Sequence, residues 1–128
     1  MTEAPSETLR RRWLEALLPE VPFEGWTEEA ARSAAIRAGL TDGEQALAAP
    51  QGVVNLVDAF FDAAEAEARA ALAGQDLSGL RVPDKVKRGV LAWLAALAPN
   101  REAVRRAASR GFLPWSAGPA LQRTWKAA

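Results

Sequence analysis

The sequence has 128 residues, and its 16 basic and 16 acidic side chains cancel to a formal net charge of zero. This composition predicts one domain with no general attraction to nucleic acid or anionic membranes. Cysteine, histidine and tyrosine are absent, which excludes disulfides, Cys/His zinc sites, thiol nucleophiles and imidazole proton transfer. We therefore expect a non-enzymatic, cytoplasmic, bacterial-type protein without cofactor or metal, in contact with membranes only peripherally.

The charges are unevenly distributed along the chain. Residues 1–75 hold 13 acidic and 6 basic side chains, whereas residues 76–128 hold 3 acidic and 10 basic ones. Clusters of this kind usually form solvated helix faces, and contact with an acidic partner or with lipid headgroups is the alternative.

Helical periodicity dominates the sequence and predicts an all-α protein. The first predicted helix begins near Ser6 or Thr8 and ends at Pro19, with Trp13, Leu14, Leu17 and Leu18 on one apolar stripe. Phe23 and Trp26 follow in a linker, where we expect both to cover the end of the helical core.

Residues 27–49 carry a helix-turn-helix pattern. Thr27 caps a helix with Ala30, Ala34 and Ile36 available for packing, and Gly39 fits the left-handed position that ends such a helix. A short helix over residues 41–49 follows, closed by Pro50. With the first helix, residues 8–50 therefore predict a module like the N-terminal part of a TetR regulator.

The second helix of this pattern lacks the side chains that read DNA. It carries Asp42, Glu44 and alanines, and carboxylates repel the phosphate backbone instead of releasing counterions from it. The arginines at positions 10–12 could contact phosphates, but such contacts orient a protein without reading sequence. A TetR-type DNA-binding transcriptional regulator therefore remains the alternative function.

Residues 51–128 predict a helical bundle. Its longest helix spans residues 52–74, with an apolar face opposite Asp58, Asp62, Glu65 and Glu67. Without histidine these carboxylates indicate a solvated face, since a di-metal bundle requires Glu-x-x-His pairs. Further helices are predicted over residues 83–98, 101–108 and 117–126. The apolar stripe of the first of these consists of Val86, Val90, Trp93, Leu94 and Leu97.

Four segments resemble the COQ-nine family: RRWLEALLP at residues 11–19, VPFEGWT at 21–27, VVNLVDAFF at 53–61 and LAPNREAVRRA at 97–107. The resemblance covers nearly the whole chain and implies a TetR-like fold. It also implies a lipid-binding accessory role in ubiquinone biosynthesis, in support of a hydroxylase that acts on the quinone ring. The partners so implied are an isoprenoid lipid, a quinone precursor or a phospholipid.

The resemblance also suggests where a lipid would bind, between the helices that follow the helix-turn-helix module. By position, the candidate lining residues are Val57, Phe60, Phe61, Val90, Trp93, Leu94, Leu97 and Phe112. The alternative is that these residues form an ordinary core in a bundle that only binds other proteins.

The chain departs from the family at its C-terminus, where members continue through further helices. We therefore expect a truncated bundle within a single domain of residues 1–128. Its uncovered apolar side chains would support a homodimer, and the candidate interface residues are Leu113, Trp115, Leu121 and Trp125, next to Phe112.

Overall fold

The computed structural model describes residues 4–111, and within this range every regular element is a helix. The all-α prediction is therefore confirmed for the described part of the chain. Two 3₁₀ segments, Leu18–Glu20 and Ala98–Asn100, follow the first and the sixth α-helix. The α-helices are α1 (Pro5–Leu17), α2 (Val21–Glu24), α3 (Glu28–Arg37), α4 (Asp42–Ala48), α5 (Val53–Ala73), α6 (Val82–Leu97) and α7 (Arg101–Ser109).

The short helix α2 was not predicted, because Pro19 and Pro22 indicated that the chain stops being helical there. Each proline instead lies in the first two positions of its helical segment. A proline is tolerated there because the first N–H groups of a helix have no partner within it. The other α-helices begin and end within a few residues of their predicted bounds.

The described residues fall into two compact units, one made of residues 4–60 and 102–111 and the other of residues 61–101. Helix α5 begins in the first unit and continues into the second. In the first unit α1 packs against α3 and α4. Trp13 on α1 is buried, and its Nε1 donates a hydrogen bond of 2.7 Å to the Ala31 carbonyl oxygen of α3.

Trp26, predicted in a linker, lies at the centre of the first unit. Its side chain is 0% exposed, and its Nε1 donates to the Ala103 carbonyl oxygen of α7 at 2.9 Å. The ring centroids of Trp26 and Phe60 are 5.5 Å apart. One indole therefore joins the α2–α3 connection to both α5 and α7.

Two apolar residues expected to pack are instead exposed. Phe23 is 80% exposed and Ile36 is 70% exposed, so the packing predictions for both were wrong. On α3 the buried positions are Ala30, Ala31, Ala34 and Ala35. Residues two apart on a helix point to opposite sides, so Ile36 faces away from the side on which Ala34 is buried.

In the second unit the later part of α5 contacts α6 through aromatic rings. The rings of Phe61 and Trp93 stack with centroids 6.4 Å apart and an interplanar angle of 26°. Near the turn, Arg88 Nη1 donates to Gln75 Oε1 at 3.0 Å. Between residues 4 and 111, no helix has both the length and the apolar character needed to span a bilayer.

Candidate functional site

The helix-turn-helix segment is built by local capping. Gly39 has φ +77°, its N–H bonds the Ile36 carbonyl, and the Leu40 N–H bonds the Ala35 carbonyl. These two bonds form a Schellman motif, and the left-handed position predicted for Gly39 is confirmed. A capping box then begins α4: the Glu44 N–H donates to Thr41 Oγ1 at 3.1 Å, and the Thr41 N–H donates to Glu44 Oε1 at 2.9 Å. Glu44 therefore caps the start of α4, the helix that a DNA-binding protein would use for recognition.

The arginines of α1 stabilise the ends of neighbouring helices. Arg10 Nε donates to the Ala48 carbonyl oxygen of α4 at 2.7 Å, and Arg12 Nη2 donates to the Ala38 carbonyl oxygen at the end of α3 at 2.7 Å. A guanidinium at a helix C-terminus satisfies orphan carbonyls and lies at the negative end of the helix dipole. Two of the three arginines that could have contacted phosphates are therefore used inside the module, whereas Arg11 is exposed and pairs with Glu15 at 3.8 Å.

Glu28 of α3 caps the long helix α5 from outside it. Its Oε1 accepts a hydrogen bond of 3.0 Å from the Val53 N–H, the first residue of α5. A shallow concavity of about 200 Å³ lies beside this contact, lined by residues that include Trp13, Arg32, Gln45 and Pro50. Its lining contains none of the predicted lipid-binding residues.

The structure distributes the predicted lipid-binding residues over both units. In the first unit Val57 and Phe60 are buried, and in the second unit Phe61 and Leu97 are buried. Trp93 is half-buried against Phe61. Phe112 lies outside the described residues, as do the predicted interface residues Leu113, Trp115, Leu121 and Trp125.

The remaining two candidates, Val90 and Leu94, lie on the surface. Val90 is 40% exposed and Leu94 is 51% exposed, and between them along α6 Leu91 is 52% exposed. We call these three residues the outer ridge of α6. The helix packs through Gly89 and Ala96, which are buried on the side opposite the ridge, and through Leu97, which is buried beside the ridge, seven residues after Val90.

Leu91 was not among the predicted site residues. Its signal in the sequence is a second apolar series, in which Leu91, Leu94 and Ala98 recur at steps of three and four residues. This series overlaps the predicted apolar stripe of α6. The second half of α6 is apolar nearly all round, so apolar periodicity alone could not predict which side of the helix is buried.

The basic run of the second half of the sequence is divided between two helices. Lys87 and Arg88 are exposed on α6. On α7, Arg105 pairs with Glu102 at 2.7 Å, and this hydrogen bond holds the pKa of the Glu102 carboxyl below its ordinary value. Arg106 Nη2 donates to the Pro22 carbonyl oxygen at 2.8 Å and Arg110 Nη1 to that of Trp26 at 2.7 Å.

These contacts give the arginines of α7 a structural role. A depression of about 230 Å³ is lined by Arg105, Arg106 and Ser109, but both guanidinium groups already bond Glu102 or a backbone carbonyl. In the first unit, therefore, arginine is used mainly to satisfy carbonyl oxygens.

The acidic residues of α5 do not converge. Asp58, Asp62 and Glu67 are exposed, whereas Glu65 is buried and pairs with Arg69 at 2.8 Å. Across residues 4–111, no three His, Cys, Asp or Glu side chains are grouped so that they could hold a metal ion.

Comparisons of the chain with protein families, with characterised proteins and with solved structures found no match.

Proposed function

We propose that this chain is a non-catalytic lipid-binding protein of TetR-like architecture that acts in support of ubiquinone biosynthesis. The observation that carries the lipid part is the outer ridge of α6. Three adjacent large apolar side chains are about half exposed on a helix whose other side is already packed. Covering the exposed half of each would stabilise a complex by roughly 1 kcal/mol per side chain.

The outer ridge is suited to bind a lipid because the residues around it on α6 are uncharged. Residues 90–98 contain no charged side chain. Exposed apolar patches with a charged rim are typical of sites for apolar ligands or partners. An isoprenoid or acyl chain can lie along such a face without requiring a closed cavity.

A DNA-binding role has less support from the first unit. Arg10 and Arg12 are bonded to helix carbonyls, and Glu44 is held in its capping box. A regulator of the TetR type would need cations in these places to neutralise phosphates. The helix-turn-helix therefore serves here as scaffold.

The link to ubiquinone rests on the sequence resemblance to the COQ-nine family. Its support is the set of segments around Trp13, Trp26, Phe60 and Val104, whose residues are not generic helix sequence. Deleting the gene in the organism that carries it should lower cellular ubiquinone and cause a hydroxylase substrate to accumulate. Unchanged quinone levels would contradict the pathway assignment while leaving lipid binding intact.

Solvent extraction of the purified protein, followed by mass spectrometry, tests lipid binding directly. We expect an isoprenoid, quinone precursor or phospholipid to be recovered, with native mass spectrometry showing the same mass on the intact protein. Recovery of no lipid, together with a clean monomer on sedimentation, would instead favour a bundle that only contacts proteins.

A pair of variants connects the recovered lipid with the outer ridge. Leu91→Asn combined with Leu94→Asn should reduce the bound lipid severalfold, because the apolar contact area is replaced by amides. Leu47→Asn on α4 is the matched control, since Leu47 is 56% exposed in the other unit. Equal loss in both variants would show that the ridge is not the binding surface.

A further inference from the structure

The helix face that carries the outer ridge of α6 is charged at one end only. Lys87 precedes Leu91 by four residues and Leu94 by seven, so all three lie on one face of the helix. With a rise of 1.5 Å per residue, Lys87 stands about 6 Å before Leu91 and about 10 Å before Leu94 along the axis. From Lys87 onward, the face therefore carries first an ammonium group and then hydrocarbon.

The charge around this end is predominantly positive. Arg81, Lys87 and Arg88 are exposed and Lys85 is half-buried. Asp84 is the single acidic residue of α6, and the next one along the chain is Glu102. Asp84 lies three residues before Lys87 and seven before Leu91, so it stands at the outer end of the same helix face, where the four basic residues outnumber it. The hydrocarbon part of the face has no carboxylate that would repel an anion.

Arg88 is held in place by its hydrogen bond to Gln75, whereas Lys87 lies on the same helix face as Leu91 and Leu94, one turn before Leu91. Of the basic groups of α6, Lys87 is therefore the one positioned to meet a ligand that lies along Leu91 and Leu94. An ammonium on a flexible stem can reach a headgroup while its methylenes cover apolar surface.

We propose that the outer ridge binds an anionic amphiphile, with its phosphate or carboxylate headgroup against Lys87 and its hydrocarbon chain along Leu91 and Leu94. This inference rests on the proposed lipid-binding function and adds the polarity and direction of the ligand. A neutral lipid would gain the apolar contact alone, whereas an anionic one would gain the charge pair as well.

Charge complementarity selects this occupant over a second copy of the chain. In an antiparallel pairing of two α6 helices, the basic end of each copy would face the hydrocarbon half of the other and would lose hydration without gaining a partner. An anionic headgroup at Lys87 removes that cost.

Calorimetric titration at low ionic strength with decyl phosphate, decanol and inorganic phosphate tests the proposal. Decyl phosphate should bind about fivefold more tightly than decanol, the size expected of one exposed charge pair. Inorganic phosphate should bind far more weakly, because it lacks the chain. Lys87→Glu should remove the preference for decyl phosphate and leave decanol binding unchanged, whereas Leu94→Asn should weaken both.

Arg32→Glu is the control, because Arg32 is an exposed arginine on α3 in the other unit, and circular dichroism checks that each variant is folded. Equal affinity for decyl phosphate and decanol, unaffected by Lys87→Glu, would overturn the anionic headgroup while leaving lipid binding in place. Tight binding of inorganic phosphate would show that the site binds the anion alone and that the hydrocarbon chain of the ligand is not needed, which would overturn the proposal. A dimer on sedimentation that Leu94→Asn dissociates would assign the ridge to a second copy, and no binding of either decyl compound would reject the proposed function itself.

Discussion

Individual side chains hold the first unit together by donating hydrogen bonds to backbone carbonyl oxygens. Trp13 and Trp26 do so through their indole nitrogens, and Arg10, Arg12 and Arg106 do so through their guanidinium groups. Each bond joins residues that are distant in sequence, so no local pattern could have predicted it. Unpaired buried carbonyl groups are costly, and the long indole and guanidinium side chains can reach carbonyl groups on neighbouring helices.

Replacing Trp26 by phenylalanine should destabilise the protein by about 2 kcal/mol, because it removes the bond to Ala103 and leaves a cavity in a fully buried site. Urea unfolding followed by circular dichroism measures this loss. Trp93→Phe is the matched control, since Trp93 is only half-buried and should cost less than about 1 kcal/mol. If both variants lost the same free energy of unfolding, the hydrogen bond of the buried Trp26 indole would contribute no additional stability.

Glu28 gives a second prediction at the same scale. Glu28→Ala should cost about 1 kcal/mol, because it removes the carboxylate that caps the first residue of α5. Glu29→Ala is matched to it, since Glu29 is an exposed acid in the same first turn of α3 and both variants lose the same interaction with the dipole of that helix. Equal destabilisation in urea titrations would mean that the cap across helices contributes nothing.

At the scale of helices, most boundaries could be read from the sequence because their causes are local. Thr27 caps α3 through its side chain, Gly39 ends that helix in the left-handed conformation, and Thr41 begins α4 with Glu44. Helix α2 was missed because two prolines lie close together, and its sequence contains no capping side chain. Within residues 4–111, local chemistry therefore predicted where the α-helices are, with α2 as the exception, and the helix predicted over residues 117–126 lies outside the described residues.

Two glycines in the helix-turn-helix should respond in opposite directions to the same substitution. Gly39→Ala should destabilise the protein by about 1 kcal/mol, because an L side chain at φ +77° is strained although the surrounding space is open. Gly43→Ala should stabilise it by about 0.5 kcal/mol, since alanine favours the helix and its Cβ would meet only ordinary contacts. Chemical denaturation of both variants decides this, and a shift of the same sign in each would contradict the conformational assignment.

Across the whole molecule the net charge is zero, but the two units use their basic side chains differently. The first unit engages most of its described arginines with backbone carbonyls or carboxylates, whereas the second exposes basic and apolar side chains together on α6. Which apolar side chains of α6 are buried depends on the helices that pack against it. The sequence of α6 alone could not predict this, because the second half of the helix is apolar nearly all round. Of the outer ridge, Val90 and Leu94 were predicted from the sequence as candidate lining residues, and Leu91 was not. The basic cluster of the second half was also identified in the sequence, with lipid headgroups as an alternative partner, but it was not connected with the apolar face of α6.

Duplex DNA should bind only weakly to this protein. We expect no submicromolar affinity at about 0.15 M salt and only a shallow dependence of affinity on salt, because α4 offers carboxylates and because Arg10 and Arg12 are bonded to helix carbonyls. Fluorescence anisotropy with salt titration measures both. Submicromolar binding with a steep salt dependence, weakened by Arg11→Met, would instead support the alternative function of a transcriptional regulator.

The sequence by itself determined the all-α class, the positions of most helices and the helix-turn-helix turn, because caps, glycines and apolar periodicity act within a few residues. Only the tertiary structure decided that Trp26 is central, that Phe23 and Ile36 face solvent, and that Arg10 and Arg12 bond carbonyls. It also decided that Leu91 and Leu94 lie outward. The physical reason is that side-chain burial and hydrogen bonding depend on which helix packs on which face, and that pairing joins residues far apart in the chain.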